Sequence, residues 1–232
     1  MDYKKYHRDK TYQENDSHFK NIFRKRVNIV LKYIKKGRVL DVGASTGAML
    51  DIFKEKGFET WGVEPSLSSS IAKKKGHKII FNYFEKAKLP SDYFDAVIMN
   101  HTLEHLNNPV AILVKIHKLL KSEGIVLIDV PNAGGLGSKF LKDDWPYRLP
   151  DEHKQQFTKE TLSEVFKKAG FKIIHWESRS GIFEFASPLS EIWESLVTGK
   201  KRFFTNLVNI PYDVFVTTLN MGDSITMVGK RE

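Results

Sequence analysis

The chain has 232 residues, 41% hydrophobic and 12% aromatic, enough for one sizeable α/β domain with an elaboration and too few for two comfortable ones. It contains no cysteine, which excludes a disulfide framework, thiolate metal sites and cysteine nucleophiles. The formal net charge is +9, and residues 1–40 carry twelve Lys or Arg against four Asp or Glu, a basic excess that suits a solvated helix face, RNA, an anionic membrane surface or an acidic small substrate.

The first residues, Met1-Asp2-Tyr3-Lys4-Lys5, are followed by no apolar core stretch, so no secretory signal is expected. The late apolar stretch 203–221 is interrupted by Asn206, Asn209, Pro211 and Asp213, which makes it a poor membrane span. A soluble, cytoplasmic protein is the plain expectation.

Over residues 17–34, Phe19, Phe23, Val27, Val30, Leu31 and Ile34 recur at helical spacing, with Lys20, Arg24, Lys25 and Arg26 between them. The pattern predicts an amphipathic helix packed on a sheet, within an N-terminal helical segment 1–36. Gly37 ends it, and Arg38–Val42 reads as the first strand. Helices over 47–56 and 67–75 then alternate with strands over Glu59–Val63 and 77–81, as in βαβ units. A loop with Leu89-Pro90 leads to a strand over 94–99, a helix over 109–120 and a strand over 125–130, with Gly124 as the turn residue. Residues 131–157 read as a long aromatic loop of the kind that covers a site. A helix over 159–169, a strand over 171–177, a helical segment 187–220 and a strand over 224–229 complete the chain. The alternation predicts a mainly parallel, Rossmann-like α/β sheet in a single domain, 1–232, with 131–157 and 182–220 as cap elements.

Ligands of such sheets bind at the C-terminal ends of the strands, and three motifs fall there. In Asp41-Val42-Gly43-Ala44-Ser45-Thr46-Gly47 a carboxylate precedes a glycine-bracketed turn. The glycines let a ligand lie on bare backbone, whereas Asp41 would repel a pyrophosphate. The turn therefore suits a nucleoside that carries positive charge, such as S-adenosylmethionine.

The second motif places Glu64-Pro65 at the end of the second strand, where the two oxygens of a carboxylate match a ribose diol. A helix N-terminal acid is the structural alternative. The third is Asn100-His101-Thr102-Leu103-Glu104-His105, set beside the glycine turn if strand four neighbours strand one. His101 and His105 are general acid or base candidates. With Glu104 they also offer metal-ligand chemistry, although a capping network is the simpler reading and no metal is expected.

Together these motifs, with Leu89-Pro90, Phe94-Asp95, the run 124–132 and the stretch 157–171, resemble the class I S-adenosylmethionine-dependent methyltransferases. The resemblance covers about residues 20–177 and lies nearest the subgroup that includes ubiquinone-biosynthesis O-methyltransferases. It implies a doubly wound sheet of about seven strands, the last antiparallel. It further implies that Asp41, Gly43, Ala44, Ser45 and Gly47 line the methionine moiety, Glu64 and Pro65 the ribose, and Glu85 with Lys86 the adenine, while Asn100 and His101 face the methionine end. Ser45 stands where relatives commonly have glycine, and an unstrained backbone is expected there. Relatives often carry two histidines before Phe157-Thr158; here His153 is kept and Gln156 fills the second place, which leaves His153 as the base by location.

The expected activity is methyl transfer to a small-molecule acceptor, most simply to oxygen. The acceptor would enter between the N-terminal helix and the two cap elements, where Trp145, Tyr147, Phe183, Phe185 and Trp193 supply aromatic area. The alternatives are an NAD-dependent dehydrogenase, opposed by the missing third glycine and by Asp41, and a cofactor-binding protein acting on RNA or at a membrane through its basic N-terminal region.

Overall fold

The computed structural model describes residues 16–199 and 202–232. The first fifteen residues, and with them part of the basic segment, lie outside the described residues. Helix α1 spans Asp16–Tyr33, followed by β1 (Arg38–Val42), α2 (Ala48–Glu55), β2 (Glu59–Val63), α3 (Ser69–Lys74) and β3 (Lys78–Ile80). Then come β4 (Phe94–Asn100), a 3-10 turn (Leu103–His105), α4 (Pro109–Leu119) and β5 (Leu120–Pro131). The rest comprises α5 (Leu136–Leu141), α6 (Lys159–Lys168), β6 (Phe171–Arg179), a 3-10 turn (Gly181–Glu184), α7 (Pro188–Val197), α8 (Arg202–Thr218) and β7 (Ser224–Arg231).

The seven strands form one sheet in the order β3-β2-β1-β4-β5-β7-β6. β1 to β5 run parallel, and β7 is antiparallel to both neighbours, as expected. Alternation along the buried strands divides the core: Leu40, Val97 and Met99 meet α4 and α6 on one face, and Val39, Ala96 and Ile98 meet α1 and α2 on the other.

Some boundaries differ from the sequence reading. β3 starts after His77, whose ring is buried and bonded between Thr60 and Asp51. β5 begins at Leu120, because Leu120 already pairs with Phe94 across a register shift. The expected loop 131–157 contains α5, and the segment 187–220 divides into α7 and α8. Both additions follow the last parallel strand in the chain.

Candidate active site

The glycine turn leaves β1 at Gly43 (φ +85°), whose N–H donates to the Val63 carbonyl at 2.8 Å. A Cβ at Gly43 would stand 2.6 Å from Thr102 Oγ1, so close packing against the segment that follows β4 as well as the backbone angle calls for glycine. Ser45 takes φ +46°, which corrects the unstrained backbone expected there; the left-handed region costs a non-glycine residue about 1 kcal/mol. Its compensation is visible: the Ser45 N–H donates to Glu64 Oε2 at 2.8 Å. The Ser66 N–H donates to Glu64 Oε1 at 2.7 Å. Glu64 thus joins the turn to the end of β2.

Two adjoining hollows open here. The larger, about 770 Å³ of empty space including its open mouth, has Gly43, Ser45, Glu64, Pro65, Glu85, Asn100, His101 and His105 on its wall. The smaller, about 360 Å³, shares Gly43, Ser45 and Asn100 and adds Asp41 and Ala44. Tyr83, Phe84, Thr102 and Leu106 also line the larger hollow, and sequence reasoning did not single them out. Tyr83 and Phe84 could have been found as a pair of aromatics just ahead of Glu85.

Three expected residues stand elsewhere. Gly47 makes the turn, its φ +78° side meeting Ala72 and His77 rather than a hollow. Lys86 is off the wall, with its Nζ 5.9 Å from the centre of the Tyr83 ring. His153 is buried behind the wall, its ring 4.9 Å from that of His105.

Asp41 is 4% exposed and pairs with no cation among the described residues. Burial, and then the charge of Glu64, push its carboxyl up to about 7. Asn100 Oδ1 is buried without a hydrogen-bond partner. A carboxylate short of a cation, a carbonyl short of a donor and the Glu64 carboxylate on the wall of the larger hollow fit the ammonium and ribose of S-adenosylmethionine.

The histidines occupy different environments. His101 Nδ1 lies 3.4 Å from Glu104 Oε1 and Nε2 lies 3.6 Å from Asp129 Oδ1. Burial works against its charge, but Glu104 and Asp129 outweigh it and raise His101 above the ordinary imidazole value. His105 donates Nδ1–H to the Glu152 carbonyl at 2.9 Å, which makes Nε2 its basic nitrogen. His153 donates Nδ1–H to the Tyr147 carbonyl at 2.9 Å, and burial lowers its pKa. The Glu104 carboxylate is 1% exposed, and the long pair with His101 Nδ1 is what holds its charge there. One ligand atom from each of Glu104, His105 and His153 lies within 4.8 Å of the others.

Behind His101 sits a buried ion network that the sequence did not reveal. Arg26, 1% exposed, lies 2.9 Å from Asp129 Oδ2 through its Nε and also pairs with Glu184. Burial pushes the Glu184 carboxyl up, but the Arg26 and Arg179 guanidiniums hold it well below the usual range. Lys25 donates to the Phe183 carbonyl. Two of the basic residues assigned to a surface face therefore act inside the fold. No helix among the described residues is long and apolar enough to cross a membrane.

Of the five cap aromatics, Trp145 and Tyr147 line a further cavity beside α5 and α8. Phe185 packs on His18, with ring centres 4.8 Å apart, and Trp193 is 68% exposed on α7.

Comparison with known proteins places this geometry. The family model described as a methyltransferase domain matches residues 12–176. An uncharacterised protein of Methanocaldococcus jannaschii is 27% identical over 168 residues, 72% of this chain and 78% of that one. A ubiquinone biosynthesis O-methyltransferase of Rhodopseudomonas palustris is 30% identical over 108 residues, and the match spans 41% of this chain and 40% of that relative. Among solved structures, a SAM-dependent methyltransferase of Archaeoglobus fulgidus superposes with a TM-score of 0.62 at 21% identity, covering 91% of this chain and 94% of that one. The match to the family model sets aside the dehydrogenase alternative: the chain belongs to the methyltransferase-domain family and is an S-adenosylmethionine-dependent methyltransferase.

Proposed function

We propose that the protein methylates a hydroxyl of a small-molecule acceptor, with His105 as the base. The observation that carries this is the tautomer of His105: its Nδ1–H is committed to the Glu152 carbonyl, so a basic Nε2 stands on a ring that lines the cleft beside Asn100 and His101. His153, the base by sequence location, is behind the wall and orients His105 instead; His101, held between two carboxylates, favours the imidazolium and makes a poor base.

When bound, S-adenosylmethionine supplies an electrophilic methyl group on a sulfonium. Asp41 would hold its ammonium, Glu64 its ribose hydroxyls and Asn100 Oδ1 a donor near the methionine end, with Pro65 and Tyr83 along the nucleoside. His105 takes the proton of the acceptor hydroxyl as the oxygen–carbon bond forms, and positioning in a dry cleft supplies much of the rest. The acceptor enters from the cap formed by 131–157 and 182–220. Tyr147 is the link: it lines the cap cavity, and its ring stacks on His101 of the cleft with centres 6.4 Å apart.

A second reading of the base rests on the buried Glu104 carboxylate, which pairs with His101 and stands beside His105 and His153. A divalent ion held there would acidify the hydroxyl in place of a histidine base. The experiment is label transfer from methyl-labelled S-adenosylmethionine to a panel of phenols and amines, with and without EDTA. Label on oxygen that persists in EDTA and is lost in His105→Gln supports the base; loss in EDTA with recovery in Mg²⁺ favours the ion. Label on nitrogen, unaffected by His105→Gln, overturns O-methylation.

A further inference from the structure

The cap cavity has a chemistry of its own. It encloses about 1030 Å³ of empty space including its mouth, and its lining, which includes Phe140, Trp145, Tyr147 and Tyr212, contains two carboxylates, Asp213 and Asp223, and, among the described residues, no Lys, Arg or His. Asp213 on α8 is 3% exposed. Its Oδ2 accepts the Ile182 N–H at 3.1 Å, and its Oδ1 takes no hydrogen bond among the described residues. Asp223 accepts the Trp145 Nε1–H at 3.0 Å and a hydrogen bond from the Ser180 hydroxyl. Neither acid forms an ion pair among the described residues.

The backbone gives way to these carboxylates. A Cβ on Gly181 would stand 2.0 Å from Asp213 Oδ2, and one on Gly137 would stand 2.3 Å from Asp223 Oδ1. Burial, and the charges of Asp223 and Glu184, raise the Asp213 carboxyl above its ordinary range despite the hydrogen bond from Ile182. A carboxylate buried without a counter-ion is unfavourable until a cation arrives. The aromatic walls attract the same kind of ligand, because ring faces carry negative potential.

We infer that this cavity binds the ammonium end of an amine-bearing acceptor, between Asp213 and Asp223, with its apolar body against Trp145, Tyr147 and Tyr212. The hydroxyl to be methylated then points past Tyr147 toward His101 and His105. The amine is an anchor and the hydroxyl the nucleophile, so the acceptor class is a hydroxylated, mostly apolar amine. This inference rests on the methyltransferase reading of the cleft for the role of the ligand, and on the cavity alone for its charge.

The test compares three probes of similar shape by calorimetry on the full chain saturated with S-adenosylhomocysteine: phenethylammonium, 3-phenylpropan-1-ol and 3-phenylpropanoate. The ammonium is expected to bind at least about tenfold more tightly than the alcohol, as a charge-assisted contact should, and the carboxylate more weakly still. Asp213→Asn keeps an oxygen for the Ile182 N–H, so the fold is retained, and it should erase most of that preference; Asp223→Asn should do the same. Affinity for S-adenosylhomocysteine should stay within about twofold in both variants, since distant sites act independently. Equal or tighter binding of the alcohol or the carboxylate, failure of all three probes to bind, or a preference that survives both substitutions overturns the inference. Failure of the unsubstituted protein to bind S-adenosylhomocysteine would overturn the cofactor reading instead, and the same comparison without that ligand would still report on the cavity.

Discussion

Glu64 and Ser45 lie on different strand ends and are joined by one hydrogen bond, from the Ser45 N–H to Glu64 Oε2 at 2.8 Å. That bond offsets the positive φ of Ser45 and fixes the glycine turn relative to β2, so a single side chain both shapes the loop and is the one proposed to meet the ribose diol.

Replacing it should therefore be felt twice. Glu64→Ala is expected to weaken S-adenosylhomocysteine binding by more than about tenfold, since a charge-assisted contact contributes roughly 1.5–3 kcal/mol. Glu64→Gln, which keeps one acceptor oxygen, should lose less. Calorimetry decides, and an unchanged affinity in the alanine variant would remove Glu64 from the cofactor site.

Asp41 should make cofactor binding release protons. Its folded pKa of about 7 exceeds the ordinary 3.8, so the carboxyl is partly protonated near neutrality. A bound ammonium favours the carboxylate and lowers that pKa. Affinity should rise with pH up to about 7 and then level off, and calorimetry in buffers of different ionisation enthalpy should show proton release. The sign for stability is opposite to that of a salt-bridged acid. Because the folded pKa is raised, the burial penalty is absent below 3.8, grows as pH rises, and is complete above about 7. A shift of that size corresponds to about 4 kcal/mol. Asp41→Asn should therefore stabilise the unliganded protein above pH 7 while weakening the cofactor. In Glu64→Gln the proton-release midpoint should fall, because Glu64 is the second cause of the shift. A midpoint that does not move would disprove the coupling.

What the sequence made legible follows from locality. Period-2 burial and glycine turns marked β1, β2 and β4, and strand-end acids marked Asp41 and Glu64, because each signal lies within a few residues. β5 began five residues earlier than read because the pairing of Leu120 with Phe94 joins distant segments. The Arg26–Glu184 pair spans 158 residues and leaves almost no local trace. A clue did exist: Arg26 falls three residues after Phe23 and four before Val30, which places it in the apolar stripe of α1 rather than opposite it. His153 is the base by sequence location because it stands ahead of Phe157-Thr158; only the packed fold shows it buried against His105. Ser45 departs from the unstrained backbone expected of a serine because the turn and the Glu64 bond together override local preference.

His105 and His153 should separate in kinetics. His105→Gln is expected to reduce kcat by about 10²–10⁴-fold with little change in cofactor affinity, the range for losing a general base. With a phenol acceptor, raising the pH should restore part of the rate by ionising the hydroxyl in solution. His153→Gln should cost less than about tenfold, through poorer orientation of His105. A His105 variant that keeps its full turnover would transfer the role to His153 or to an ion at Glu104.

Arg26 ties α1 to β5 through Asp129 and to the 3-10 turn after β6 through Glu184, so its loss should be structural first. Arg26→Met leaves two buried carboxylates short of charge, and removing one partner of such a pair costs roughly 3–5 kcal/mol. For a chain of this size that is a fall in Tm of roughly 10 °C. Glu184 should then titrate at higher pH, because one of the two guanidiniums that hold it down is gone, so the stability that its depressed pKa contributes above pH 4.5 should shrink and be lost at a higher pH on acidification than in the unsubstituted protein. Adding Glu184→Leu to Arg26→Met should recover part of the loss, since the second substitution removes one of the stranded charges. Thermal melts of both single variants and the double variant form a cycle whose coupling energy measures the pair. A coupling near zero would show that the helix is held by its apolar stripe alone.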